Sequence, residues 1–239
     1  MPDRLGVARR LRASRGYWAA NLLLDLARGR DRRHAALLRL RAPAGLFQPF
    51  GTTWPDRYAE IFADLSARLA SVDAVRILSF GCSTGEEVAA LRQHLPEADI
   101  TGIDISPERI AICRATLPQA MAGRTRFEVG DSVCDEPDAH YDAVLAKAVF
   151  RHWRLNKPTV RNNTLLAFDR FEREVTEMAR IVRPGGFLLL RHSNFRFCDT
   201  AVFAGFETLA DAKCATPLFA PSGARLPDQT REAILFRKR

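Results

Sequence analysis

The chain has 239 residues, of which 47% are hydrophobic and 27% charged, values that suit a globular protein with a sizeable core. No apolar run approaches the roughly 20 residues of a membrane-spanning helix, and we expect no secretory signal. The five cysteines are widely spaced and form no Cys-x-x-Cys pair, so we predict no metal site and expect free thiols and a cytoplasmic location.

The basic charge is concentrated near the start of the sequence. Residues 1–45 hold 11 arginines and three acidic residues, so this segment alone carries a net charge of +8. In residues 46–239 the basic and acidic residues are equal in number. We predict one or two basic helices over 1–45 and an irregular segment over 46–51. We interpret the helices as a solvated arm; the alternative is a contact for an acidic partner such as nucleic acid, anionic lipid or a carrier protein.

A further helix is predicted to begin at Thr53, with Pro55 in its first turn, and to run to Leu69. From Val75 onward, short apolar runs alternate with helical stretches, which indicates a mostly parallel sheet with helices on both faces. The predicted strands are 76–80, 99–104, 125–129, 141–146, 186–191, 206–210 and 232–237. The predicted helices are 85–95, 107–117, 168–182 and a short one after Asp199.

The predicted fold is therefore an α/β, doubly wound, Rossmann-like domain over residues 75–239. Its sheet has seven strands, of which the last two form an antiparallel edge. Residues 1–74 form a basic helical N-terminal arm or cap that precedes this domain.

The loop after the first predicted strand reads Gly-Cys-Ser-Thr-Gly-Glu-Glu over residues 81–87. Gly81 and Gly85 allow the backbone to pass close to a ligand and to turn into a helix whose N-terminus favours an anion such as a carboxylate. A dinucleotide fingerprint needs Gly-x-Gly-x-x-Gly, and a P-loop needs Lys where this chain has Glu86. An acid at that point repels phosphate and suits a ligand with an amino group and a sulfonium.

Acidic residues follow the next two predicted strands. Asp104 is placed to accept both ribose hydroxyls of an adenosine; the alternative is that it caps the next helix, a task that Ser106 can perform alone. Asp131, with the Ser132 hydroxyl beside it, is placed to bind the adenine amino group, and the alternative is a simple turn. The glycine loop and Asp104 at adjacent strand ends together favour an adenosine ligand.

In this order, the motifs resemble those of class I S-adenosylmethionine (SAM) methyltransferases. The resemblance rests on residues 77–85, on Tyr-Asp-Ala-Val over 141–144 and on Arg-Pro-Gly-Gly-Phe-Leu-Leu-Leu over 183–190. It implies SAM as the cofactor, although this chain has Ser83 where glycine is usual and Ser79 where an acid is common. The implied cofactor-binding residues are Gly81, Cys82, Ser83, Gly85, Glu86, Asp104, Ile105, Asp131, Ser132 and Lys147.

A narrower resemblance is to the chemotaxis-receptor glutamate methyltransferases, which share Gly-Cys-Ser-Thr-Gly-Glu-Glu and a following Asp-Ile-Ser, here over 104–106. Their upstream Thr-x-Phe-Phe-Arg segment implies cofactor contacts for Thr53 and Arg57, the two residues of it that this chain keeps. Their Arg-Asn…Tyr segment after the fourth strand is replaced by Lys-Ala-Val-Phe-Arg-His-Trp over 147–153. Because only the cofactor half matches, we do not predict receptor methylation.

Candidate acceptor-site residues follow the fourth and fifth predicted strands. His152 and His192 lie there, and histidine is the usual base near neutral pH. Asn194 is placed to orient a polar group of the substrate, and each of the three has a structural role at a strand end as its alternative. Four aromatic residues are candidates either to line a pocket or to fill the core: Trp54, Tyr58, Phe150 and Trp153.

Two motifs of nucleic-acid methylation are missing: Asn/Asp-Pro-Pro-Phe/Tyr and Pro-Cys. The sequence therefore predicts a SAM-dependent methyltransferase that acts on O or N of a small or medium-sized molecule. One alternative is an RNA or protein methyltransferase that holds its acidic target with the basic arm. The other is a non-catalytic SAM-binding protein.

Overall fold

The computed structural model describes residues 15–41, 43, 45–51, 58–156, 162 and 165–239. Its seven strands are β1 (Arg76–Phe80), β2 (Asp99–Asp104), β3 (Thr125–Val129), β4 (Tyr141–Lys147), β5 (Val182–Arg191), β6 (Phe206–Lys213) and β7 (Arg231–Lys238). They form one sheet in the order β3-β2-β1-β4-β5-β7-β6. The first five strands pair in parallel, and β7 is antiparallel to both of its neighbours. This topology confirms the predicted doubly wound sheet and its antiparallel edge.

Six α-helices accompany the sheet in the described residues: α1 (Arg15–Ala27), α2 (Arg30–Arg41), α3 (Ala59–Leu69), α4 (Glu86–His94), α5 (Pro107–Thr116) and α6 (Phe168–Ile181). The helix predicted after Asp199 is a short 3-10 helix over Ala201–Gly205. The predicted start of α3 at Thr53 and Pro55 lies outside the described residues. None of the described helices is long and apolar enough to cross a membrane.

Strand β5 begins four residues earlier than predicted. The sequence places a turn at Pro184, Gly185 and Gly186, whereas in the structure Val182 already pairs with Tyr141 of β4. A register shift between Tyr141 and Ala143 accommodates the extra residues, and Gly185 has a φ of +76°. Residues 183–186 therefore form an irregular excursion at the predicted turn, between the two paired stretches of β5.

Apolar layers cover both faces of the sheet. On one face, α6 contributes Phe171, Val175 and Met178. On the other, α3 contributes Phe62 and Leu65 to a cluster that includes residues of α4 and α5. The two layers hold the central parallel strands rigidly, and loops at the carboxyl ends of such strands are where doubly wound proteins bind ligands.

Candidate functional site

The loop after β1 turns sharply at the carboxyl edge of the sheet. Gly81, Ser83 and Gly85 have φ angles of +75°, +53° and +93°. The N–H groups of Gly81 and Cys82 both donate to the Ile103 carbonyl of β2, at 2.7 and 3.0 Å. A Cβ on Gly81 would lie 2.3 Å from Cγ2 of Val149, so this position requires glycine both for its conformation and for the close approach of the loop after β4.

Asp104, at the end of β2, is a buried carboxylate that ties two loops together. Its oxygens accept hydrogen bonds from the N–H groups of Ser83 and Ser106, each at 2.9 Å. Burial raises the pKa of Asp104, and Arg109, whose Nη1 lies 3.9 Å away, opposes that rise. The Ser106 hydroxyl caps α5 by accepting from the Arg109 N–H. Because Ser106 performs the capping, Asp104 is not needed as the cap and lines the adjoining cleft.

The end of β4 carries a cation that is paired inside this cleft. Lys147 Nζ lies 2.9 Å from Glu87 Oε2 and 3.7 Å from the centre of the Phe62 ring. The Ser79 hydroxyl donates to the other Glu87 oxygen at 2.9 Å. Glu87 thus places a carboxylate beside Ser79. Ser79 is the position where class I SAM methyltransferases often have an acidic residue.

The structure brings most of the predicted cofactor residues together but not all of them. One cleft is lined by Gly81, Cys82, Ser83, Asp104, Ile105, Asp131 and Lys147, and by Glu87, which the sequence analysis did not single out. Gly85 and Glu86 line a neighbouring groove instead. Glu86 accepts a hydrogen bond from Thr84 Oγ1 at 2.7 Å. Adjacent residues in the first turn of α4 point in different directions, so the geometry favours Glu87 over Glu86 as the acid of the cleft.

Ser132 is also outside the lining of the cleft. Its hydroxyl accepts from the Cys134 N–H at 3.3 Å and bonds to Glu174 of α6, a carboxyl whose pKa is raised by burial to about 7. This arrangement favours the turn interpretation for Ser132. Thr53 and Arg57, the two upstream candidates, lie outside the described residues.

An irregular strap, residues 45–51, covers the cleft and contacts the loops after β1, β3 and β4 and the first turn of α5. Ser83 Oγ donates to the carbonyl of Gly51 at 2.8 Å, and Arg109 donates to the carbonyl of Pro49 at 2.7 Å. The Gly45 N–H donates to Asp131 at 3.1 Å, and the Gln48 amide donates to the carbonyl of Ala148 at 3.1 Å. The sequence analysis expected only an irregular segment here, because no local pattern encodes these long-range contacts.

Helix α2 holds the strap from outside. Asp31 accepts from the Gly51 N–H and from Arg109 Nη2, both at 3.3 Å. Arg41 Nη2 lies 2.6 Å from Glu108 on α5. The helix also buries His34, whose pKa is lowered, chiefly by burial. The basic arm therefore packs on the domain through one face of α2.

His192 lies one aromatic ring away from the cleft, and His152 lies two rings away. The ring of His192 lies 5.9 Å from that of Tyr58, which lines the cleft. His152 stacks on Trp153, which meets Phe50 of the strap edge to face. Burial lowers the pKa of His152 to about 4. Its Nδ1 accepts from the Arg154 N–H at 3.3 Å, so the neutral imidazole presents Nε2–H as a donor.

Asn194 does not face the cleft. Its side chain is fully buried, accepts from the His152 N–H at 2.8 Å and donates to the carbonyl of Pro217 at 2.7 Å. These bonds hold the loop after β4 against the chain beyond β5, which favours the structural alternative for this residue. Phe150 likewise belongs to the buried core.

Among the described residues, no group of three or more His, Cys, Asp or Glu is arranged to hold a metal ion. All five cysteines are free, with Cys82 and Cys113 buried. The side chains that line the cleft include the carboxylates of Asp104 and Glu87, the ammonium of Lys147 and the aromatic rings of Tyr58 and Phe50.

Part of this chain is similar to known methyltransferases. Residues 78–190 match the model of a family described as a methyltransferase domain. The chain is 35% identical to a trans-aconitate 2-methyltransferase of Streptomyces avermitilis over 40% of this chain and 37% of that protein. It is 30% identical to a fatty-acid O-methyltransferase of Mycolicibacterium smegmatis over 59% and 46%. It is 28% identical to a ribosomal RNA large subunit methyltransferase G of Streptomyces coelicolor over 56% and 34%.

The chain thus spans less than half the length of these three relatives. The family match covers the loop after β1, Asp104, Asp131 and Lys147. Over these residues, the match supports the predicted methyltransferase domain. These matches give no support to the narrower resemblance to the chemotaxis-receptor type.

Proposed function

We propose that the methyltransferase domain of this chain binds SAM in the cleft under the strap and transfers its methyl group to O or N of a small or medium-sized organic molecule. The observation that carries the proposal is the convergence of the Gly81 turn, Asp104 and the Glu87–Lys147 pair in one cleft inside the matched region. The proposal includes a division of the chain into a cap over 1–74 and a catalytic domain over 75–239. The contacts of Asp31 and Arg41 with α5 support the role of the cap.

The donor set of the cleft fits each part of SAM. Asp104 provides a carboxylate for the ribose hydroxyls. Glu87 provides a carboxylate for the amino group or the sulfonium, and Lys147 an ammonium for the carboxylate of the methionine moiety. The close approach of Val149 at Gly81 leaves no room for a side chain there. SAM, when bound, would supply a methyl group activated by its sulfonium, and a neutral thioether would leave.

The residues of this chain would then orient the acceptor and exclude water. The strap closes the cofactor side of the cleft, while Tyr58 and Phe50 provide an aromatic rim for the acceptor. His192, whose ring lies against Tyr58, is the candidate base that removes the acceptor's proton. His152 is a candidate hydrogen-bond donor, because its Nδ1 is already engaged as an acceptor.

Small-molecule acceptors are favoured over RNA by this aromatic rim, to which the strap itself contributes Phe50. Relatives of both kinds exist: a trans-aconitate, a fatty-acid and a ribosomal RNA methyltransferase.

Two measurements test the proposal. Calorimetry should show binding of SAM and of S-adenosylhomocysteine but not of NAD, and Asp104→Ala should weaken SAM binding by roughly one to two powers of ten. Incubation with methyl-labelled SAM and fractionated cell extract should place label in the small-molecule fraction. Label in RNA would redirect the proposal to the RNA alternative, and SAM binding without label in any fraction would indicate a non-catalytic protein.

A further inference from the structure

The outward face of α1 is an unbroken apolar stripe. Ala20, Leu23, Leu24 and Ala27 are all exposed, with Leu23 67% and Leu24 47% accessible. Their spacing of i, i+3, i+4 and i+7 places them on one side of the helix. An exposed helix face in a globular protein is normally polar, so this stripe is the reverse of the usual pattern.

The one acidic residue of α1 is turned away from that face. Asp25 is buried and forms ion pairs with Arg39 and, at 3.4 Å, with Arg32. Negative charge is thereby withdrawn from the surface of the α1–α2 hairpin. The acid of α2, Asp31, is engaged by the strap and by Arg109.

Exposed positive charge follows the stripe directly. Arg28, Arg30 and Arg33 lie in the turn after α1 and at the start of α2, and all three are exposed. In the described ranges of the chain, no acidic side chain forms an ion pair with any of them. The hairpin thus presents apolar side chains next to arginines to which the described residues supply no ion-pair partner, with its own acids already occupied.

We propose that this surface, the α1 stripe with Arg28, Arg30 and Arg33, binds the surface of an anionic lipid bilayer. A stable protein interface takes about 20–30 residues from each partner, far more than one helix face of four residues. A bilayer accepts a short apolar stripe between its headgroups without shape complementarity, and its anionic lipids attract the adjacent arginines. The inference does not depend on which molecule is methylated.

The test uses the full chain and two kinds of vesicle: phosphatidylcholine alone, and phosphatidylcholine mixed with phosphatidylglycerol. The wild-type protein should cosediment with the mixed vesicles and not with the neutral ones. Leu23→Gln/Leu24→Gln should weaken binding roughly tenfold or more, because the apolar contribution is lost. Arg28→Gln/Arg33→Gln should weaken it roughly fivefold for each arginine, and the wild-type affinity should fall as salt rises.

Two control substitutions test whether loss of vesicle binding is specific to this surface. Val129→Gln changes an exposed apolar residue elsewhere (48% accessible), and Arg173→Gln changes an exposed arginine on α6. Both should bind the mixed vesicles like the wild type. The substituted leucines are exposed, so the melting temperature and the SAM affinity of the leucine variant should match those of the wild type.

Four outcomes would overturn the proposal. The first is no cosedimentation of the wild type with mixed vesicles, and the second is full binding by the leucine variant. The third is a wild-type dimer that the leucine substitutions convert to a monomer, which would assign the stripe to a second copy of the chain. The fourth is binding to RNA that only the arginine substitutions remove, without any vesicle binding.

Discussion

The Lys147 ammonium lies 2.9 Å from a carboxylate oxygen of Glu87, and the two side chains keep only 1% and 13% of their surface accessible. The pair joins the end of β4 to the first turn of α4 across the cofactor cleft. A buried ion pair of this kind contributes little net stability, but breaking it by removing one partner is costly because the other charge stays buried.

Lys147→Met should therefore lower the free energy of unfolding by about 3 kcal/mol, as measured by denaturant titration. The double variant Lys147→Met/Glu87→Gln should recover most of that loss, because no unpaired charge remains. Both variants should bind SAM more weakly, since each removes a proposed cofactor contact. A single variant as stable as the wild type would show that water, and not Lys147, satisfies Glu87.

Gly185 is a control for Gly81 of the loop after β1, because both glycines have a left-handed backbone. Their φ angles are +75° and +76°, but an added Cβ meets Val149 at 2.3 Å only at Gly81 and meets nothing within 4 Å at Gly185. Gly185→Ala should cost about 1–2 kcal/mol of stability, from the left-handed backbone alone, and should keep SAM affinity. Gly81→Ala should cost more and abolish binding in calorimetry. Equal effects of the two substitutions would refute a steric role for Val149.

The strap should control the release of the cofactor. A Cβ on Gly51 would lie 2.5 Å from Arg109 Cζ and 2.6 Å from Ser83 Oγ, so Gly51→Ala should displace the strap and break one or two of its hydrogen bonds. We expect SAM to dissociate roughly tenfold faster in a stopped-flow chase. Gly123→Ala, where a Cβ meets open space, is the control and should leave the rate unchanged. An unaltered rate for Gly51→Ala would mean that the strap does not close the site.

Glu174 should give the protein a measurable dependence of stability on pH. Burial raises its pKa from 4.5 to about 7, so between these values the folded state holds the proton more tightly than the unfolded chain does. The contribution of Glu174 to the free energy of unfolding is therefore full below pH 4.5, and about 3 kcal/mol of it is lost as pH rises through 7.

Glu174→Gln should remove that decline, so that the variant gains on the wild type at pH 8 relative to pH 5 in denaturant unfolding. Glu177→Gln, on the same helix and bonded to Arg180, is the control and should keep the wild-type slope. Parallel curves for the wild type and Glu174→Gln would show that this carboxyl titrates normally.

His192→Gln should lower kcat for the acceptor found by labelling by a factor of about 100 to 10,000, the usual contribution of a general base. SAM affinity should stay within about twofold of the wild type, because His192 does not line the cofactor cleft. His140→Gln, at the opposite end of β4, serves as the control with wild-type kcat. A loss confined to KM would assign His192 to acceptor binding and not to proton transfer.

The strands of the parallel sheet were predictable because each is a short apolar run bounded by turn residues, and β1, β2 and β3 have the bounds expected from sequence. The direction of Glu86 and Glu87 was not predictable, because it depends on the residue at which α4 begins, and a shift of one residue rotates the helix face by about 100°. The sequence around Asn194 is compatible with a turn residue or with a substrate-binding residue. Only its hydrogen bonds to His152 and Pro217, which are distant in sequence, distinguish these two roles.

The position of β7 between β5 and β6 sets the order in which the sheet can be completed during synthesis. Strand β6 leaves the ribosome before β7 and has no neighbour to pair with until residues 231–238 follow. Until then the β5 edge at Leu188 and Leu189, which β7 covers, is open to pairing with other chains. Nascent chains that stall before β7 therefore expose an apolar strand edge, and this is the stage at which a chaperone would protect the protein from aggregation.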